Sequence, residues 1–368
     1  MTYRQCTRCI MDTTDPEITF DDRGVCNHCR RFDEELRPLW RPNAEGRQRL
    51  EKILETVRRE GQGKEYDCII GLSGGVDSSY MAYQVVQMGL RPLVMHVDGG
   101  WNSEVAVRNV ESLCRKLKLD LQTFVVDWEE MRDLQVAFLR SGVANQDVPQ
   151  DHAFFAALYA FAVRNGIRYV LSGSNYATEG ILPSSWGYDA MDARQLRSIH
   201  RRFGEIPLRN YPTVSFYQYY FHYPYVKKMT VLKPLNFLPY VREEAVRELQ
   251  REFGWKHYGG KHCESRFTKF FQYYFLPRRF GYEKRRAHLA SLVVSGQMTR
   301  DQALAEMARP VYQEGELGAD REYIVKKLRL RDEDLEQFLT MPHKTFRDYD
   351  SHFGMVQTLR TLKGLVRR

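Results

Sequence analysis

A doubly wound parallel sheet, an α/β architecture, is the fold predicted for this 368-residue chain, and three observations predict it. Apolar runs of strand length alternate with helical patterns from residue 66 to residue 172, as βαβ units require. One of these runs, Tyr66–Leu72, passes directly into Ser73-Gly74-Gly75-Val76-Asp77-Ser78-Ser79 and then into a helix. Two C-x-x-C pairs precede the alternating region and a helix-rich stretch follows it, so a cysteine-knuckle unit and a C-terminal helical region flank the sheet.

The N-terminal pairs are Cys6-Thr7-Arg8-Cys9 and, after sixteen residues, Cys26-Asn27-His28-Cys29. Two knuckles at this spacing close a tetrahedron around Zn²⁺, the arrangement of a zinc ribbon. Four thiolates leave no open position, so the metal is expected to be structural. A dithiol redox use lacks the thioredoxin-like context. His28 lies inside the second knuckle, and with four cysteines at hand it is read as a bystander. Residues 31–64 are highly charged, with Leu50, Ile53, Leu54 and Val57 at helical spacing before Gly61-Gln62-Gly63. The chain therefore divides into a zinc ribbon (1–40), a linker helix (41–64), a nucleotide-binding sheet domain (65–260) and a helical region (261–368).

Within the sheet domain the expected order is Tyr66–Leu72, a helix over 78–88, Pro92–Val97, a helix over 103–117, Leu121–Val126, helices to Asn165, and Tyr169–Ser172. A strand that ends in Ser-Gly-Gly and turns into a helix aims unpaired backbone N–H groups, aided by the helix dipole, at one anion. Gly74 and Gly75 allow close approach, Ser73, Ser78 and Ser79 add hydroxyl donors, and Asp77 offers a carboxylate suited to Mg²⁺. No Lys follows the glycines, so this is not the loop that holds a γ-phosphate for hydrolysis.

Ligands of such sheets gather at the carboxyl ends of the strands. The second strand ends at His96-Val97-Asp98-Gly99-Gly100-Trp101-Asn102, the fourth at Ser172-Gly173-Ser174-Asn175. Gln150-Asp151-His152, before the apolar helix 153–163, and Ala177-Thr178-Glu179-Gly180 should open toward the same place, although Asp151 equally suits a helix cap. A basic stretch, Arg197 to Arg209, leads into the aromatic block 211–225, read first as a packed interface, second as a sugar face and third as a base-stacking surface. Tyr258 to Thr268 is dense in polar groups, and Lys284-Arg285-Arg286 forms a cationic cluster, either a solvated helix face or a group that would neutralise a triphosphate. Helices close the chain, one opened by a Thr299–Gln302 capping box and another over 332–339.

Net charge is +8 and pI about 9.0, which favours an anionic partner. The N-terminus lacks the apolar core of a signal peptide, and the longest uncharged apolar run, 153–163, is too short to span a bilayer. A cytoplasmic location is expected, with no membrane insertion and no disulfide framework.

The Ser73–Ser79 loop resembles the PP-loop signature S-G-G-x-D-S of the ATP pyrophosphatase (adenine nucleotide alpha hydrolase-like) superfamily. That resemblance implies ATP cleavage between the α- and β-phosphates, adenine received near Met95, His96 and Val97, and a small residue, Gly173, near the phosphates. With Cys6–Cys29, Val97–Glu104, Ser172–Asn175, Gly259–Thr268 and the stretch from Lys284 through His288–Leu292 to Ser295–Arg300, the chain looks like the N-acetyl sugar amidotransferase family of lipopolysaccharide and O-antigen biosynthesis. Gly99-Gly100 departs from an Asp-Asn-Gly form associated with that family, and Cys263 is a variable position.

The family implies conversion of the acetamido group of a UDP-linked sugar to an acetamidino group through an O-adenylated imidate. Asp77, Ser73, Lys284 and Arg285 are then the catalytic candidates, and Asp151, His152, Glu179, His262 and Glu264 the substrate candidates. The chain lacks both a Cys just after Met1 and a glycine-flanked Cys elbow, so ammonia must come from a partner. The resemblance points to a glutaminase subunit like that of imidazole glycerol phosphate synthase, with its cyclase-like subunit. The alternative is a PP-loop tRNA-thiolating enzyme, which would need reactive cysteines by the loop; Cys68, Cys114 and Cys263 form no pair by spacing, and a nucleic-acid partner is not expected.

Overall fold

The computed structural model describes residues 2–366, so residue 1 and residues 367–368 of the expected end units lie outside it. Five strands, β1 (Cys68–Gly71), β2 (Pro92–Asp98), β3 (Leu121–Val125), β4 (Tyr169–Leu171) and β5 (Thr230–Leu232), pair in the order β3-β2-β1-β4-β5, all parallel. The chain winds outward from β1 to β3 and then crosses back to the other side of β1. That reversal opens a crevice at the carboxyl ends of β1 and β4. The α/β class and the doubly wound sheet are those expected, with one strand added. β5 has three residues, too few to show a period, and it is a strand because Val231 pairs beside Val170.

Both faces of the sheet are covered, which is why its strands read as continuous apolar runs. Ile70 faces a core filled by helices Ala44–Glu60, Val76–Gln87, Glu104–Leu117 and Arg242–Phe253, whereas Ile69 faces helix Val148–Arg164. The helix read as a linker is thus a covering element, with Leu50, Leu54 and Val57 fully buried in the sheet's core. Its start is fixed by Asn43, whose side chain accepts from Gly46 N.

The aromatic block packs on one side only. Tyr211, Val214 and Tyr223 are buried and Tyr219 stacks on Tyr159 with ring centres 6.2 Å apart, whereas Tyr217 and Tyr225 remain 61% exposed. The two ends of the chain share a core. Cys6, Cys9, Ile10 and Phe32 lie with Leu276, Ala290, Val294 and Leu328, and Arg300 Nε donates to the carbonyls of Cys6 (3.2 Å) and Cys9 (3.1 Å). The Thr299–Gln302 capping box forms, opening helix Arg300–Ala308. No described helix is long and apolar enough to cross a membrane.

Candidate active site

At the crevice, β1 ends and the chain turns through Ser73-Gly74-Gly75 into helix Val76–Gln87. Gly74 has φ +83°, and a Cβ there would lie 2.5 Å from Ala106 O, so only glycine fits. Gly75 occupies the cap position and has no side chain to cap the helix, so the first N–H groups point into the crevice without a capping side chain. Ser73 Oγ accepts from Gly75 N at 3.2 Å and lies 3.4 Å from Ser78 Oγ. Across the crevice a Cβ on Gly173 would strike Ser78 N at 2.7 Å, so its absence lets the end of β4 close on the loop.

A cavity of about 520 Å³ extends from this loop. Ser73, Gly75, Asp77, Ser78, Met95, His96, Val97 and Gly173 all line it, as do Asp151, Glu179, His262, Glu264 and Lys284. Beyond β2 its wall is apolar, with Phe154, Leu158 and Tyr159 opposite Met95 and Val97. His96 is pinned there: its Nδ1 donates to Leu72 O at 2.8 Å while Nε2 accepts from Asn102 Nδ2 at 3.1 Å. That ring shapes the wall and has no free nitrogen.

Asp77 is the charged centre. Lys261 Nζ lies 2.9 Å from its Oδ2, 2.9 Å from Glu179 Oε1 and 2.8 Å from Thr178 Oγ1, and the Tyr240 hydroxyl donates to Asp77 Oδ1. Burial alone would raise the Asp77 carboxyl, but Lys261 and Tyr240 overcome it and hold the group below its usual range. Asp77, Thr178 and Glu179 form an oxygen set suited to a hard cation, with the Lys261 ammonium at its centre. These oxygens are hard donors of the kind Mg²⁺ takes, and here they bond the Lys261 ammonium.

Farther from the loop the cavity becomes a polar chamber. Asp147 caps the start of helix Val148–Arg164 and Asp151 stands one turn later. Asp147 accepts from Thr268 Oγ1 at 2.9 Å and from Gln272 Nε2 at 3.2 Å. Burial and the neighbouring Asp147 charge push Asp151 up to about 7. Burial likewise pushes Glu264 up to about 7, with Ser73 Oγ at 3.5 Å from its Oε1 and no partner for its Oε2. His262 takes a left-handed backbone, φ +64°, and packs its ring 5.2 Å from that of His288. Burial and the nearby Lys261 lower His262 to about 3, so both nitrogens are free of added charge at neutral pH.

Four sequence candidates are placed otherwise. Arg285 does not line the cavity; its guanidinium donates to the carbonyls of Glu306, Met307 and Arg309 at the end of helix Arg300–Ala308, and Arg242 and Lys261 stand where a triphosphate would need cations. His152 is fully buried, with Nδ1 donating to Ala190 O at 2.8 Å and Nε2 accepting from Val214 N at 3.2 Å, so it is a core histidine. Ser79 turns its hydroxyl into the core, and Gly74 faces Ala106 and Trp255 rather than the cavity. Asp151 is not a cap either, because the helix begins at Val148, ahead of the expected start. Tyr240, Asp147 and Gln272 had no role in the sequence analysis, and Thr178, Lys261 and His288 figured there only within polar or family-like stretches. The Gly259-Gly260 pair before Lys261 and the four-residue spacing of Asp147 and Asp151 were the available signals; Gln272 and Tyr240 had none.

The four cysteines meet away from this cavity. Their Sγ atoms all lie within 4.8 Å of one another, with 3.9 Å between Cys6 and Cys29 and 3.7 Å for Cys9–Cys26 and Cys26–Cys29. A tetrahedron with Zn–S bonds of about 2.3 Å has edges of about 3.8 Å. The set fits structural Zn²⁺. His28 is the expected bystander, its Nε2 2.6 Å from Asp15 Oδ2.

Residues 264–363 match the family model described as LPS biosynthesis protein WbpG-like, C-terminal domain. No curated protein matches the chain. Among solved structures, the chain is similar to an NMN synthetase from Francisella tularensis (TM-score 0.38, 14% identity, covering 78% of this chain and 96% of that one). An NH3-dependent NAD synthetase from Campylobacter jejuni gives a TM-score of 0.30 at 14% identity, covering 43% and 72%. A predicted subunit of tRNA methyltransferase from Methanocaldococcus jannaschii gives 0.29 at 10%, covering 50% and 75%. Likenesses at this level carry no conclusion about chemistry.

Proposed function

We propose that this chain is an ATP-dependent amidotransferase of lipopolysaccharide biosynthesis that converts the acetamido group of a UDP-linked N-acetylated sugar to an acetamidino group. One observation carries the reading: the wall of the cavity that faces the Ser73–Ser79 loop is built by Glu264, Thr268, Gln272, Lys284 and His288, all within the segment matched to a lipopolysaccharide-biosynthesis family.

The chemistry suits these residues. An amide carbonyl is a poor electrophile, so its oxygen attacks the α-phosphorus of ATP, the P–O bond to pyrophosphate breaks, and an O-adenylated imidate forms. The N–H groups after Gly75 and the hydroxyls of Ser73 and Ser78 hold the departing pyrophosphate, while Arg242 and Lys261 offset its charge. Mg²⁺, when bound, would sit on Asp77 and neutralise the phosphates further. Ammonia adds to the imidate carbon and AMP departs. Positioning supplies much of the rate, and no protein nucleophile is needed. Among the described residues no cysteine lines the cavity, which fits ammonia delivered by a partner glutaminase and speaks against thiolation of tRNA. The reading places the protein in the cytoplasm.

The test is AMP and pyrophosphate release from ATP, Mg²⁺ and ammonium chloride, with UDP-linked N-acetylhexosamines in one arm and bulk tRNA plus a sulfur donor in the other. Sugar-dependent AMP release that disappears in Asp77→Ala is the expected result. Release only with tRNA would transfer the assignment to thiolation, and glutamine-dependent turnover by the purified chain alone would remove the need for a partner.

A further inference from the structure

The chamber beyond the nucleotide loop holds two acceptors with nothing to accept, the Asp151 carboxylate and the Gln272 carbonyl. Asp147 accepts from Thr268 Oγ1, from Gln272 Nε2 and, at 3.5 Å, from Gln150 Nε2 of the helix whose cap position it holds, and it takes no backbone N–H of that helix. Asp151, one turn on, lines the cavity with no hydrogen-bond or ion-pair partner for its carboxylate among the described residues. Like charges four residues apart on a helix repel, so the pair is retained at a cost. The second observation is independent of the acids. Gln272 is only 3% exposed, its Nε2 is committed to Asp147, and its Oε1 stands in the cavity wall buried and unpartnered. A buried carbonyl left unmatched costs on the order of 1–3 kcal/mol. A ligand that donates would recover it.

Other groups facing Asp151 are Glu179, the Tyr211 phenol and the Lys284 ammonium, which lies 5.4 Å from the Phe271 ring centre and makes no ion pair. Two carboxylates and one amide carbonyl form a set of acceptors. A small cation bearing several N–H donors suits this set, and among the described residues no group of three or more His, Cys, Asp or Glu other than the four cysteines is placed to hold a metal.

We propose that Asp151, backed by Asp147 and the Gln272 carbonyl, is the ammonium-receiving subsite of this enzyme, and that Asp151 is the general base that frees ammonia there. The proposal rests on the amidation reading above. Ammonium gives one proton to the Asp151 carboxylate; the released lone pair forms the new C–N bond at the imidate carbon; the C–O bond to AMP then breaks with its electron pair on AMP. The amidine leaves as its cation, and Asp151 returns its proton to water.

The experiment separates the two half-reactions on the full chain. Pyrophosphate–ATP exchange with UDP-linked N-acetylhexosamines and no ammonium reports adenylation alone, and AMP release against ammonium chloride concentration reports the second step. Asp151→Asn is expected to keep the exchange and to lower kcat/KM for ammonium about 100-fold at neutral pH, a typical general-base contribution. That deficit should shrink at alkaline pH as free ammonia accumulates, and Asp151→Glu should recover part of the rate. An unchanged kcat/KM for ammonium overturns the proposal. Equal loss of exchange and amidation also overturns it and assigns Asp151 to the sugar. Absence of sugar-dependent exchange in the unmodified chain would instead remove the amidation reading itself.

Discussion

Lys261 Nζ lies 2.9 Å from Asp77 Oδ2, joining the Ser73–Ser79 loop to a residue 184 positions later in the chain. The side chains are 11% and 19% exposed, so the pair is shielded from water. The lysine is delivered by a loop bent at Gly259 and at His262, both at positive φ, and it reaches Glu179 as well. The Asp77 charge is therefore balanced by the chain itself.

Lys261→Met leaves the Asp77 carboxylate buried without its cation. Unfolding free energy should fall by about 3 kcal/mol, the cost of breaking one side of a buried pair. Measured by urea midpoint, the double variant Asp77→Asn/Lys261→Met should recover much of that loss. Strict additivity of the two substitutions would show that the pair is not coupled.

Glu264 titrates high because burial disfavours its charge, from an ordinary 4.5 to about 7. Between those values the folded state binds the proton more tightly than the unfolded chain, so this group's contribution to stability declines as pH rises through the window and is flat above it. Glu264→Gln should therefore stabilise the protein by on the order of 3 kcal/mol at pH 8 and by little at pH 4. Denaturant unfolding at the two pH values checks it; an equal effect at both would contradict the assignment.

His152 bridges Ala190 O and Val214 N as a neutral ring, and burial lowers its proton affinity. The unfolded chain binds the proton more readily, so this contribution is present at neutral pH and is lost as pH falls below about 6.5. His152→Ala should cost about 2 kcal/mol through two unmatched buried groups. The same variant should leave the KM values for ATP and sugar unchanged, and a selective rise in either would return His152 to the site.

The cysteine knuckles should carry one zinc per chain by elemental analysis. Because Cys6 and Cys9 carbonyls anchor Arg300, and because Ile10 and Phe32 share a core with Trp186 and Tyr282, loss of metal should loosen the C-terminal helices. Cys9→Ala should remove the zinc and lower the melting midpoint by at least about 5 °C. An emission red shift from Trp186 should accompany it; unchanged melting would mean that the knuckles anchor nothing.

The fold and the strand–turn–helix at Ser73–Ser79 were legible in the sequence because their signals are local. Strand and helix periods, the two glycines before Val76 and the four cysteines at ribbon spacing each act within a few tens of residues. β5 was not legible, since three residues carry no period and only pairing with β4 makes them a strand. The packing of helix Ala44–Glu60 on the sheet was not legible for a related reason: an amphipathic pattern shows that a face is buried and not against what.

By itself the sequence determined an α/β sheet with a glycine-rich turn into a helix at the end of its first strand, cysteines fit for zinc, and a set of polar residues fit for chemistry. The tertiary structure decided which of those residues meet. Arg285 and His152 have the right chemistry but are spent on a helix end and on the core, whereas Lys261, Asp147 and Gln272 reach the cavity from distant segments. A side chain's chemical type is written at its own position; its partners are set by how β1, β4 and the C-terminal helices pack, a property of contacts between residues more than a hundred positions apart.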